Sequence, residues 1–130
     1  MQIEQTLKQC TPLPYRLAVY GTLKKGFGNH HFLRNAVFEG TYELQGYDMY
    51  SLGCFPGIKK GEGTITIEVY HIDEDMLENI DMLEGYDREE GARSFYLRRE
   101  INIQGMPTFI YIFNHSLGAN PMLVESGNWE

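Results

Sequence analysis

The stretch AVFEGTYELQGYDMYSLG, residues 36–53, is rich in aromatic side chains and interrupted by glycine at 40, 46 and 53. Such a run favours extended backbone, and glycines inside it mark bends or bulges rather than a flat ribbon. The chain is therefore expected to build a curved sheet. Other segments supply further strands. YRLAVY (15–20) is a short apolar run closed by Gly21, which reads as a buried strand meeting a turn. GTITIEVYHI (63–72) alternates β-branched and polar residues, and SFYLRREINI (94–103) and MPTFIYIF (106–113) flank Gln104-Gly105, a hairpin turn.

Helix signals are fewer. Residues 29–35, NHHFLRN, read as a short helix with Asn29 as its N-cap. A stronger one starts after Asp73, whose side chain can cap the first amides, and runs through EDMLENIDMLE to Gly85, a good stop. At about 100° per residue, Met76, Leu77, Ile80 and Leu83 share one face of it, while Glu78, Asn79 and Asp81 lie off the centre and can face water. Glu84 falls inside the apolar stripe. A carboxylate there must find hydrogen bonds, take up a proton, or sit at the mouth of a cavity. A carboxyl group with a raised pKa can accept and return protons near neutrality, which makes Glu84 a candidate acid/base. The competing reading is structural: a frayed helix end would let Glu84 reach solvent or pair with Arg88.

A second informative stretch is YGTLKKGFGNHHFL, residues 20–33. A strand that ends in Tyr-Gly and turns at once exposes successive backbone amides, which can bind a carboxylate or a developing oxyanion. It is no Walker loop, since the Gly-Lys-Ser/Thr ending is missing, and no dinucleotide fingerprint, since the glycine spacing is wrong and no βαβ unit follows. Taken alone, the segment is also compatible with an ordinary turn.

Composition narrows the function classes. A chain of 130 residues, 42% hydrophobic and 22% charged, suits one compact domain over residues 1–130, with a core at about 15–114 and an N-terminal extension, 1–14, that has no assigned role. The first dozen residues and those after Asn120 are the least certain to be ordered. The formal net charge of -7 argues against a general grip on nucleic acid. No segment reaches the roughly 20 apolar residues of a membrane span, and the N-terminus lacks the pattern of a signal peptide, so no membrane partner and a cytoplasmic location are expected. Cys10 and Cys54 lie in no metal or redox spacing and read as reduced thiols. His30, His31, His71 and His115 show no ligand spacing, so no metal is expected. The many Tyr and Phe residues read as core rather than as stacking platforms for bases. Asp81 and Asp87, flanking Glu84, read as caps or ion-pair partners.

Together, LAVYGTLKKGFGNHHFL, FPGI, EVYHIDEDMLENIDMLEGYD, YLRREI and FIYIF, in this order and spacing, resemble the γ-glutamylcyclotransferase-like family, above all its γ-glutamylamine cyclotransferase and AIG2-like branch. The resemblance spans roughly residues 15–114. It implies an α+β fold, a small mixed β-barrel with a few short helices. It also implies that Glu84 is the catalytic acid/base, that Tyr20, Gly21, Thr22 and Leu23 bind the γ-glutamyl part of a small-molecule substrate, and that Tyr96 and Arg98 match the family's Tyr-x-Arg. The implied reaction closes 5-oxoproline by attack of the substrate's α-amine on its own γ-carbonyl, a lyase-type cleavage that expels an amine without metal or cofactor. One departure stands beside it: many relatives have a glycine two residues before the Val-Tyr preceding the helix, where this chain reads Ile67-Glu68-Val69-Tyr70. A non-catalytic module using the same pocket to bind a small metabolite, or its surface to meet another protein, is the alternative. Released amine and oligomeric state are not encoded in these motifs.

Overall fold

The computed structural model describes residues 12–130; Cys10 and nearly all of the N-terminal extension lie outside the described residues. Its elements, in chain order, are β1 (Tyr15–Val19), β2 (Val37–Ser51), β3 (Pro56–Ile72), α1 (Glu74–Glu84), β4 (Tyr96–Ile103), β5 (Met106–Phe113) and β6 (Met122–Leu123). The strands form one sheet in the order β4-β5-β1-β3-β2-β6. All neighbours pair antiparallel except β1 and β5, which run parallel with Leu17 opposite Phe109. The sheet is thus mixed, as expected, and curls into a half-barrel around one α-helix.

The curvature has a local cause. The β2–β3 register shifts between Phe38 and Gly40 and again between Gln45 and Tyr47. Gly46 takes φ 99°, a conformation open to glycine at little steric cost, and so provides the second bulge. β3 begins at Pro56, well before the alternating segment at 63–72: Gly57 pairs with Tyr50, and the strand resumes pairing at Thr64 after the irregularity that holds Gly61 and Gly63 opposite the Gly46 bulge.

Four of the five residues of β1, Arg16 to Val19, are buried, with side chains on both faces of the sheet, which explains the apolar run Leu17-Ala18-Val19. Leu17 and Val19 join Tyr70 and Ile72 beneath α1, where Met76, Leu77 and Ile80 close one core. Ala18 points the other way, with Met49, Ile58, Ile65, Val69 and Ile110. Ile67, at the departure from the family pattern, is fully buried in this second core.

Helix α1 has the expected ends. Asp73 accepts a hydrogen bond from the Met76 amide at 2.8 Å, and Gly85 stops the helix in the left-handed conformation. Its rotation differs from expectation. The buried stripe is centred between Leu77 and Ile80, so Asp81 is 3% exposed instead of facing water, and Leu83 is 38% exposed instead of anchoring the helix. Glu84 keeps its bearing on the stripe, at the helix end.

Two further expectations are corrected. Residues 29–35 form only a 3-10 turn, His30–Leu33, and the Asn29 side chain does not cap it but donates to Thr22 Oγ1 at 2.9 Å. The segment after Asn120 is ordered: β6 pairs with β2, Val124 donates to the Met49 carbonyl and Thr66 to the Gly127 carbonyl, both at 2.8 Å. Backbone pairing of this kind leaves no periodic trace in so short a segment. Among the described residues, no helix is long and apolar enough to cross a membrane.

Candidate active site

Immediately after β1 the chain leaves the sheet through Tyr20, whose hydroxyl donates to the Tyr111 carbonyl at 2.7 Å. The loop then folds on itself: the Lys24 amide donates to the Gly21 carbonyl and the Asn29 amide to the Thr22 carbonyl, both at 3.0 Å. The side chain of Asn29 reinforces this through Thr22 Oγ1, and the His30 ring contacts the Leu23 carbonyl at 2.9 Å. Among the described residues, the amides of Gly21, Thr22 and Leu23 have no acceptor. Three successive unpaired donors make the kind of concavity that receives an anion. Gly21 is required by packing, since a Cβ there would lie 2.8 Å from the Pro56 ring.

The loop is also held from behind. Lys24, 5% exposed, donates to Asn128 Oδ1 at 2.7 Å and to the Trp129 carbonyl at 2.8 Å. Burial pushes its ammonium pKa down, opposed by the charges of Glu68 and Glu130. The C-terminal segment is in turn fastened to β2 and β3, so Lys24 ties the loop to the sheet, and the Lys25 amide adds a hydrogen bond to Glu68 Oε1 at 3.0 Å.

A cavity of about 390 Å³ opens beside this loop. Its wall includes Tyr20, Gly21, Thr22, Leu23 and Asn29 from the loop, Cys54, Phe55 and Pro56 from the β2–β3 turn, Leu83 and Glu84 from α1, and Phe95, Tyr96 and Tyr111 from the β4–β5 side. All of Tyr20, Gly21, Thr22, Leu23, Glu84 and Tyr96, singled out from the sequence, therefore meet at one place. Tyr96 is fixed by a hydrogen bond from its hydroxyl to the Pro56 carbonyl at 2.5 Å. Glu84 makes no hydrogen bond among the described residues, and burial raises its pKa to about 7. Burial and the neighbouring Glu84 charge also raise the Tyr96 pKa, and burial is the leading cause for Tyr20 as well, so both phenols stay protonated at neutral pH.

Arg98 stands apart from the cavity wall. Its Nη1 donates to Asp81 Oδ2 at 2.7 Å, and its guanidinium lies over the rings of Phe109 and Tyr86, at 4.5 and 5.0 Å. Asp81 also accepts from Arg88 Nε at 2.8 Å and from the Tyr111 hydroxyl at 2.5 Å. The second donor of Arg88 goes to Glu74 at 3.0 Å, so Arg88 serves Asp81 and Glu74 and leaves Glu84 to the cavity. Asp87 accepts from the amides of Glu89 and Glu90, which makes it a local cap.

The sequence marks Asn29 only as a helix cap and does not single out Phe55, Phe95 or Tyr111. Their signal was present only as membership in longer apolar or turn segments, which names no role. Among the described residues, no three His, Cys, Asp or Glu side chains are grouped to hold a metal ion.

A sequence profile described as "Gamma-glutamyl cyclotransferase, AIG2-like" matches residues 17–130. The chain belongs to this family. The AIG2-like match contains every residue on the cavity wall. Among curated relatives, the γ-glutamylcyclotransferase family protein YtfP of Citrobacter rodentium is 37% identical over 114 residues, 88% of this chain and 94% of the relative. The solution structure of YtfP from Escherichia coli, 35% identical, superimposes with a TM-score of 0.67 over 88% of this chain and 95% of that one. An uncharacterized protein from Pyrococcus horikoshii, 28% identical, gives a TM-score of 0.72 over 88% of each chain. The half-barrel is therefore an AIG2-like family fold.

Proposed function

We propose that this chain is a γ-glutamylcyclotransferase that converts a γ-glutamyl amide to 5-oxoproline and a free amine, with Glu84 as its acid/base. Family membership supports the general activity. The single observation that carries the finer reading is that Glu84, with a pKa near 7, shares one cavity with the unpaired amides of Gly21, Thr22 and Leu23.

The chemistry follows from these parts. The amides receive the substrate's α-carboxylate or the oxyanion that develops on the γ-carbonyl. Glu84 takes a proton from the α-ammonium, freeing the amine to attack the γ-carbon and close a five-membered ring. A second proton passes from the ring nitrogen to water as the C–N bond to the leaving group breaks. Glu84 returns a proton to the departing nitrogen, which leaves as an amine and is protonated again in water. A carboxyl group that titrates near neutrality is suited to both transfers. Nucleophile and electrophile belong to one molecule, so the cavity has mainly to hold the substrate in its cyclising conformation. Tyr20 and Tyr96, neutral and anchored, shape the floor on which that conformation rests.

The test is to follow 5-oxoproline from a panel of γ-glutamyl amines and dipeptides with wild type and Glu84→Gln. Product is expected from the wild type, with a loss of at least about a hundredfold in the variant. Equal activity in both proteins would remove Glu84 from the mechanism. Absence of product with ligand binding retained would favour a binding module.

A further inference from the structure

The wall of the cavity changes character from floor to opening. Tyr20, Leu23, Tyr96 and Tyr111 are each at most 6% exposed and form its closed end. Phe55, Leu83 and Phe95 line the same cavity yet are 37%, 38% and 40% exposed. A side chain that both lines a cavity and meets solvent stands at its opening, so the opening is a collar of three large apolar groups. The rings of Phe55 and Phe95 lie edge to face with centroids 6.0 Å apart. Phe95 is braced from behind by Tyr96, Phe113 and His115, at 5.1, 5.3 and 5.6 Å. Lys59, a cation near this cluster, is directed over the Phe113 ring at 5.4 Å. Among the described residues, Glu84 is the only charged side chain on the cavity wall.

Exposed aromatic groups gathered around an opening signal a binding surface more than a random surface composition does. A γ-glutamyl amide has two ends. Its amino-acid head carries the charges, and the loop amides and Glu84, away from the apolar collar, offer them partners. The amide nitrogen and whatever it bears must then point outwards, through the collar.

Building on the cyclotransferase reading, we infer that the preferred substrates are γ-glutamyl amides of apolar, especially aromatic, amines, whose side chains seat between Phe55, Leu83 and Phe95. A leaving group bearing a carboxylate would bring an anion towards Glu84 and past rings that offer it no donor. One bearing an ammonium would lose hydration against the collar, and Glu84, engaged with the substrate's own α-ammonium, is not free to pair with it. The reaction itself is unchanged: the γ-carbon exchanges its bond to the leaving nitrogen for one to the α-nitrogen, and the apolar amine departs.

Four compounds decide the matter: γ-glutamylbenzylamide, γ-glutamylbutylamide, γ-glutamylglycine and γ-glutamylputrescine. The expected kcat/KM for the benzylamide exceeds that for the glycine and putrescine compounds by roughly ten- to hundredfold, the range set by burying one apolar group of this size. Phe55→Ala and, separately, Phe95→Ala should each shrink that ratio, so a folding failure in one leaves the other as a readout. Turnover of γ-glutamylglycine or γ-glutamylputrescine as fast as the benzylamide would overturn the inference while upholding the cyclotransferase. If none of the four is turned over, calorimetric binding of the same compounds decides. Selective binding of the benzylamide supports the collar as an apolar subsite, and equal or absent binding overturns it.

Discussion

Asp81 and Glu84 stand three residues apart on one helix and occupy opposite electrostatic surroundings. Asp81, 3% exposed, is satisfied by Arg98, Arg88 and the Tyr111 hydroxyl. Glu84 has no such donors among the described residues, and burial raises its pKa to about 7. One carboxylate secures the helix to the sheet, and the other is left unpaired at the cavity. The pair shares a link, because Tyr111 both donates to Asp81 and lines the cavity that Glu84 faces.

Replacing Asp81 should therefore act on stability. Asp81→Asn removes the charge that compensates Arg98, whose side chain is 14% exposed, and is expected to cost roughly 3 kcal/mol, as for other broken buried pairs. Urea unfolding measures this. A loss below about 1 kcal/mol would mean that the cluster rearranges around water instead of holding α1.

Glu84→Gln should do the reverse, and only at high pH. The folded state holds the Glu84 proton more tightly than the unfolded chain does, since its pKa rises from 4.5 to about 7. The associated stability is complete below about pH 4.5 and is lost as pH rises through 7. The variant should match wild type near pH 4 and exceed it at pH 8 by up to about 3 kcal/mol. Unfolding midpoints at the two pH values provide the comparison, and an identical difference at both would contradict the buried-carboxyl account.

The same titration should appear in catalysis. Only ionised Glu84 can accept the α-ammonium proton, so kcat/KM is expected to rise with pH through a midpoint near 7. Initial rates of 5-oxoproline formation between about pH 5.5 and 8.5 test this, and a flat profile there would argue against a base at Glu84.

Lys24 offers a test of the loop. Lys24→Met leaves Asn128 Oδ1 and the Trp129 carbonyl without their donor and releases the segment that presents Gly21, Thr22 and Leu23. The expected effect is a rise in KM of roughly five- to tenfold, equivalent to about 1 kcal/mol of lost pre-organisation. A change confined to kcat would indicate a different role, and restoration of KM by Lys24→Arg would support the tether.

A stabilising change is available in the β4–β5 turn, where Gln104 and Gly105 both take positive φ, 53° and 78°. Asparagine tolerates the first of these positions better than glutamine. Gln104→Asn should add roughly 0.5 kcal/mol to the unfolding free energy, read by the urea midpoint.

These residues also indicate what could be read from the chain alone. Short-range physics carried far: Asp73 and Gly85 bound the helix because caps are local, and Gly40 and Gly46 marked real bulges. The parallel partner of β1 was not legible, because nothing in YRLAV names a strand some ninety residues away. Helical periodicity placed Glu84 on the buried stripe but misjudged Asp81 and Leu83. It counts apolar residues, whereas the helix turned to bury a carboxylate with three donors waiting. The C-terminal clasp on Lys24 is composed of one backbone carbonyl and one amide side chain, which carry no pattern. The collar was hidden for a related reason, since Phe55, Leu83 and Phe95 come from three separate elements.

The placement of β1 has a consequence for how the protein reaches this state. The β2–β3 hairpin is contiguous in sequence and extensively paired, so it can close within microseconds. β1 must wait for β5, because one of its edges is completed only by the strand that contains Phe109. Contacts of such sequence separation form slowly and late. The loop that follows β1 would then be the last part of the cavity wall to find its place, and the cavity would stay incomplete in a nascent chain until the ribosome had released β5. Pulse-labelled hydrogen exchange should find β2 and β3 amides protected first and those of β1 afterwards; the opposite order would assign β1 to the nucleus.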